Sequence, residues 1–162
     1  GMRRMVRHNA VVEQLSAVET LGATTIILTD KTGTLTENRM QVAQLITAVD
    51  TYAMDETKNI LDSSSHPVFK DQDHSLTTLL TCAALCNNAT LGENGHESTG
   101  DTMEISLLEA ANSVGLSRPA LLEQYEKVTE SAFDPVKRRM ATVHEDTGKF
   151  LVAVKGGPEA VF

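Results

Sequence analysis

The spacing of hydrophobic and polar positions changes several times along the chain, and each change marks an element. Thr24-Thr25-Ile26-Ile27-Leu28-Thr29 is apolar and β-branched, without alternation. That pattern predicts a strand buried on both faces, as in a parallel sheet covered by helices. Ahead of it, Glu13 to Leu21 is a short helical stretch closed by Gly22 at a C-cap position. The residues before that are basic and helix-compatible, with Arg3, Arg4, Arg7 and His8 clustered. Gln41 to Met54 alternates loosely through Val42, Leu45, Ile46, Val49 and Tyr52, which predicts one or two antiparallel strands. Asp55 to Asp73 is polar and reads as a loop.

Helical spacing returns at His74 to Leu91, where Leu76, Leu79, Leu80 and Ala83 follow the i, i+3, i+4, i+7 rule. The helix passes into a Gly/Asn-rich loop over Asn87 to Thr99. Gly100 to Gly115 is a second helix, with Asp101 at the N-cap, Glu104 at N3 and a buried face of Ile105, Leu107, Leu108, Ala111 and Val114. Ser117 caps a third helix that carries Pro119 in its first turn and Leu121, Leu122 and Tyr125 after it. Lys127 to Phe133 is a strand and Asp134-Pro135 a break. Arg139 to His144 and Lys149 to Val154 form a hairpin around Asp146-Thr147-Gly148.

Composition narrows the picture. With 162 residues the chain is long enough for one domain with a proper core. No apolar run approaches the roughly 20 residues that span a bilayer. A net charge of −8 argues against a general nucleic-acid or anionic-membrane surface. The only two cysteines, Cys82 and Cys86, lie four apart on a helix, which suits reduced thiols in a cytosolic protein. They could chelate a soft metal with His66, His74 or His96, but no tight Cys/His pattern supports it, and small residues packing on a helix is the simpler reading.

The chemistry starts at Asp30, at the carboxyl end of the first strand, where open α/β sheets place their ligands. Such a carboxylate can attack phosphorus and become an aspartyl phosphate. Lys31 adds positive charge, Gly33 permits a tight turn, and Thr32, Thr34 and Thr36 bring hydroxyls. Many strand-end-Asp phosphatases carry a second acid two residues on; here that position is Thr32, which suits a slowly hydrolysed phosphoenzyme. Further along, Phe133 is followed closely by Lys137, Arg138 and Arg139, an aromatic ring for a base and cations for phosphates. Lys155-Gly156-Gly157-Pro158-Glu159 puts a lysine at a strand end before two glycines that allow close approach of a ligand.

Asp30 to Thr36, DKTGTLT, resembles the phosphorylation motif of P-type cation-transporting ATPases. GDTMEISLL from Gly100, FDPVKRRM from Phe133 and KGGPEAVF from Lys155 resemble further motifs of that family, in its order. The sequence departs from the pattern at Thr102, Met103 and Gly157, where the family has Pro, Thr and Ala.

The resemblance implies an α+β fold: an antiparallel sheet flanked by helices over residues 40–162, the nucleotide-binding domain. Before it, residues 1–39 would hold the first helix and strand of a Rossmann-like phosphorylation domain. It implies that Asp30 is phosphorylated from MgATP, that Asp30 and the carbonyl of Thr32 help hold Mg2+, and that Lys31 and Thr34 serve the phosphoryl group. Glu104 would face the adenine amino group, Phe133 stack on the base, Arg138 reach toward the phosphates, Met140 line the pocket, and Lys155 and Gly156 lie against the base. The implied partners are ATP and the other parts of a membrane pump: the actuator domain, the remainder of the phosphorylation domain and the membrane helices. This would be a cytoplasmic portion of an integral membrane protein that binds nucleotide without turnover alone. Residues before about Met40, lacking the rest of their sheet, are expected to be mobile, rearranged or packed on another chain. The alternatives are a stand-alone strand-Asp phosphatase or phosphotransferase of the wider HAD-type superfamily and, from a third class, a regulatory interaction module.

Overall fold

A computed structural model describes residues 6–8, 14–31, 33–92 and 97–162. The chain divides into two compact units, Gly1–Asn38 and Arg39–Phe162.

In the first unit, α1 spans Leu15–Gly22. The stretch that follows corrects the sequence expectation: Thr24 to Thr29 is irregular, and Ile26, Ile27 and Leu28 are 74%, 78% and 94% exposed. A strand buried on both faces needs neighbours for its N–H and C=O groups and helices over its side chains. Among the described residues this unit has no other strand, so the apolar run has nothing to pair with. The turn after it is held by local bonds. Asp30 Oδ1 accepts the Lys31 N–H at 2.7 Å, and Leu35 N–H donates to Lys31 O at 3.1 Å. Gly33 sits at φ +78°, a left-handed conformation that costs glycine nothing.

The second unit opens with an antiparallel sheet of β1 (Gln44–Ile46), β2 (Thr51–Met54) and β3 (Ile60–Leu61), in that order. β3 lies inside the stretch expected to be a loop. Two residues are too short for alternation to show, yet Ile60 is fully buried and Leu61 bridges to Pro67. The polar character of the rest has a local cause. Asp55 Oδ1 accepts the N–H groups of Thr57 and Asn59, and Asp62 Oδ1 those of Ser64 and His66.

α2 covers His74–Leu85 and buries Leu76, Leu80 and Ala84 at a spacing of four. It ends earlier than the sequence suggested, at Cys86. Asp73 caps it, accepting the Leu76 N–H at 2.9 Å. α3 covers Thr102–Ser113, with Asp101 accepting the N–H groups of Met103 and Glu104. α4 covers Arg118–Gln124; Ser117 occupies its N-cap but makes no side-chain cap bond. A second antiparallel sheet follows, β4 (Glu126–Asp134), β5 (Arg139–Asp146) and β6 (Lys149–Gly156), in that order. Its β5–β6 ladder runs unbroken from Asp146↔Lys149 to Arg139↔Gly156. Thr147 and Gly148 close it with φ values of +46° and +80°, the signs a two-residue type I′ turn requires. A single helical turn, α5 (Pro158–Val161), comes last.

The core forms where α2, α3 and α4 meet the inward face of the second sheet: Leu76, Leu80, Leu85, Leu108, Ala111, Leu121, Met140 and Ala153 are all buried. The α+β class expected from the sequence holds. The strands form two three-stranded antiparallel sheets, β1–β3 and β4–β6, which are not hydrogen-bonded to each other.

Tyr52 ties the first sheet to α2. Its hydroxyl donates to Asp73 Oδ2, beside the cap bond to Leu76. Burial, then the hydrogen bond to Asp73 and that group's charge, push the phenol up to about 12 from 10.0. Asp73 is held below its ordinary range, first by the Tyr52 hydroxyl and then by the Leu76 N–H. The folded state therefore holds the phenolic proton more tightly than the unfolded chain. That contribution is complete below pH 10 and disappears as pH rises from 10 to about 12. Tyr52→Phe is expected to cost about 1–2 kcal/mol at pH 7 and to remove this alkaline loss, as read by denaturant titrations across the alkaline range. In the first unit, amides of Thr24 to Thr29 are expected to exchange with solvent at nearly unprotected rates while those of β5 exchange slowly; equal protection would contradict the irregular assignment.

Candidate functional site

Three sequence-distant residues converge where α2 ends. Glu104 stands in the first turn of α3, where a capping box would send its carboxylate back to the N-cap N–H. It turns elsewhere: Oε1 accepts Lys155 Nζ at 2.6 Å and Oε2 accepts the Asn88 N–H at 3.1 Å. The Glu104 and Lys155 side chains are 12% and 18% exposed. An ion pair this shielded from water is a strong local constraint on both partners. β-sheet register sets Lys155 opposite Met140, and Met140 is buried. The Cys86 thiol donates to Met140 O at 3.7 Å. Burial pushes that thiol up, and the Lys155 charge pulls it partly back.

The loop between β4 and β5 is organised by Asp134. Its Oδ1 accepts the N–H groups of Val136 at 2.8 Å and Lys137 at 3.1 Å. These bonds, Lys137 first, hold its carboxyl below the usual range. Arg138 follows in the left-handed region at φ +54°. Its carbonyl accepts the Gly157 N–H at 3.0 Å. A Cβ on Gly156 would lie 2.6 Å from that carbonyl oxygen and 2.7 Å from Arg139 Cβ. The missing side chain at Gly156 is therefore required by the β5–β6 crossing itself. Arg138 faces Glu159 at 3.7 Å, an exposed pair worth little. Phe133 is 59% exposed on β4, in the stretch where the β4–β5 register shifts. A cavity of about 390 Å³ beside this loop is lined by Ser131, Asp134, Lys137, Arg139, Met140 and Val154, among others. A larger one, about 730 Å³, lies between Ala89, Leu108 and Arg118 and includes none of the nucleotide- or phosphate-site residues expected from the sequence.

Glu104, Met140 and Lys155 are thus brought together, and Arg138 meets Gly156. Asp30, Lys31 and Thr34 belong to the other unit, and Thr32 lies outside the described residues. Asp30 offers one carboxylate; no group of three or more His, Cys, Asp or Glu able to hold a metal ion forms among the described residues. Asp30 supplies one oxygen of the kind magnesium takes, and the Thr32 carbonyl expected beside it lies outside the described residues. The same observation removes the thiol–imidazole chelate from the described residues: Cys82 and Cys86 are free thiols, and His96 lies outside them. Sequence reasoning missed Asn87, Asn88 and Arg118. Asn-Asn directly after a helical run was the available signal, since asparagine serves helix ends and turns.

The second sheet and the Glu104–Lys155 pair lie in the part of the chain that matches a known family. The family model described as "P-type ATPase, cytoplasmic domain N" matches residues 75–162, and the chain belongs to that family. Among full-length relatives, it is 33% identical to Calcium-transporting ATPase 1 of Lactococcus lactis, over 100% of this chain and 17% of that protein. It is 36% identical to a probable cation-transporting P-type ATPase of Mycoplasma pneumoniae, over 99% of this chain and 15% of that one. It is 33% identical to human sodium/potassium-transporting ATPase subunit alpha-3, over 98% of this chain and 16% of that one. The chain therefore spans only about a sixth of the length of these relatives. No helix among the described residues is long and apolar enough to cross a membrane.

Lys155→Met is expected to leave the Glu104 carboxylate shielded, with only the Asn88 N–H to satisfy it. The cost should be about 3 kcal/mol, and Glu104→Gln in the same chain should recover part of it. Thermal denaturation of the two single variants and the double variant measures this.

Proposed function

We propose that the chain is the ATP-binding part of a P-type cation-transporting ATPase, joined to the segment that carries its phosphorylated aspartate. The observation that carries this reading is the Glu104–Lys155 pair at 2.6 Å beside Met140. It unites residues from three of the motifs that resemble the family. A carboxylate with unused lone pairs can accept from the amino group of adenine, and the Lys155 ammonium can donate to a ring nitrogen or a phosphate. Phe133 is exposed and able to stack on the base, and Lys137 and Arg138, four and five residues on, carry charge suited to phosphate oxygens. Gly156 follows Lys155 directly, and its missing side chain lets the Arg138 carbonyl lie close against the strand end.

In the whole pump an Asp30 carboxylate oxygen attacks the γ-phosphorus of ATP. The bond from that phosphorus to the β–γ bridging oxygen breaks, and ADP leaves with that oxygen. Asp30 and the Thr32 carbonyl would be this chain's ligands to the magnesium that accompanies the nucleotide, which would neutralise charge on the phosphates. Thr32, in place of a second acid, leaves no general base there to hasten hydrolysis of the aspartyl phosphate, so the phosphoenzyme can persist long enough to drive transport across the membrane. The chain alone binds ATP and does not turn it over, since the rest of the catalytic constellation belongs to other parts of the pump.

The test is a calorimetric or NMR titration of ATP, with and without magnesium, into wild type and Phe133→Ala. Wild type is expected to bind weakly, with resonances of Phe133, Glu104 and Lys155 shifting. Phe133→Ala should bind roughly 5- to 100-fold more weakly, the equivalent of about 1–3 kcal/mol of stacking. Absence of binding at millimolar ATP, or unchanged affinity in the variant, would sink the assignment.

A further inference from the structure

We propose that Asn87 is a positioning residue for the Glu104–Lys155 pair, and through it a determinant of which base the site accepts. This rests on the nucleotide reading above.

Both oxygens of the Glu104 carboxylate are engaged. One oxygen is taken by Lys155 at 2.6 Å and the other by the Asn88 N–H at 3.1 Å. With both oxygens held, the group cannot rotate, and its remaining lone pairs point in fixed directions. Such an acceptor selects a base bearing an exocyclic amine over one bearing a carbonyl there. Lys155 is secured by the β5–β6 ladder. The Asn88 N–H has no ladder, because it lies in the turn after α2. What holds it is the residue before it.

Asn87 is fully buried. Its Nδ2 donates to Glu104 O at 2.9 Å and to Ala83 O at 3.3 Å, and its Oδ1 accepts the Ala89 N–H at 2.8 Å. Both amide hydrogens and the carbonyl oxygen are used, which only an amide of this length can match. Its own carbonyl accepts Arg118 Nη2 at 2.6 Å, while Arg118 Nε donates to Ala84 O at 3.1 Å. On the far side Ala89 packs against Gly100, where a Cβ would lie 2.7 Å from Ala89 Cβ. Asn87 thus locks the turn that presents the Asn88 N–H to the very residue whose backbone it grips. Side chain and main chain of Glu104 are fixed by neighbours in one turn.

The experiment compares ATP with inosine triphosphate, which carries a carbonyl in place of the amine, by calorimetry on the 162-residue chain. The variants are Asn87→Asp, Glu104→Gln and the double. Asn87→Asp keeps the shape but sets an oxygen against Glu104 O and Ala83 O. ATP affinity is expected to fall by roughly tenfold or more, with inosine triphosphate affinity changing by less than about twofold. In the Glu104→Gln background, Asn87→Asp should not change the ratio further. Equal weakening of both nucleotides, or an additive effect in the double variant, would overturn the proposal and leave the nucleotide reading intact. No binding of either nucleotide by wild type would overturn both. Should Asn87→Asp fail to fold, NMR on wild type decides: the Asn88 amide is expected to shift with ATP and not with inosine triphosphate, and equal shifts would refute the inference.

Discussion

A shielded carboxylate and ammonium must find each other, or the fold carries an uncompensated charge. In this chain that constraint acts between Glu104 and Lys155 and ties the first turn of α3 to the end of β6. Coulomb attraction alone does not repay the loss of water around both groups. The pair stands because the second Glu104 oxygen has its own donor, the Asn88 N–H. Three separate pieces of structure must therefore agree. The cap at Asp101 sets the first turn of α3, the type I′ turn at Thr147-Gly148 sets the register of β6, and the segment after α2 supplies the second donor. An error of one residue in the β5–β6 register would turn Lys155 to the other sheet face.

The same dependence on distant partners explains where sequence reasoning succeeds and fails. α2 and α3 were legible because Leu76 and Leu80, or Leu108 and Ala111, mark a helical face by local spacing alone. Asp101 was legible as a cap for the same reason, and Thr147-Gly148 as a hairpin turn. Thr24 to Thr29 has as strong a local preference as any stretch in the chain, yet it is irregular and exposed. Strand propensity describes a fit to a pleated, covered surface, and without that surface it has nothing to act on. β3 fails in the opposite sense: its two residues carry no pattern, and its place is fixed by Ala53 and Met54 across the sheet.

The candidate site was legible as a set of motifs but not as a geometry. The sequence singled out Glu104, Met140 and Lys155, yet nothing local says that a residue at a helix start and one at a strand end 51 positions later share a hydrogen bond. Asn87 escaped notice because its partners, Ala83, Ala89 and Glu104, are main-chain groups that leave no trace in side-chain chemistry. Gly156 was read as room for a ligand. The backbone of Arg138 and Arg139 occupies the space its side chain would need, so the glycine is required before any ligand arrives.

In the proposed reading, structural and binding roles fall on the same atoms. Asp134 shapes the loop that presents Arg138, and Glu104 steadies α3 while its free lone pairs remain available. On that reading a change at such positions alters stability and ligand affinity together, because the partners that aim a side chain are also those that neutralise it. A loss of binding in a Glu104 or Lys155 variant is therefore ambiguous when taken alone. The informative quantity is a ratio between two ligands of nearly the same shape, in which a general loosening of the fold cancels and only the direction of a held carboxylate remains.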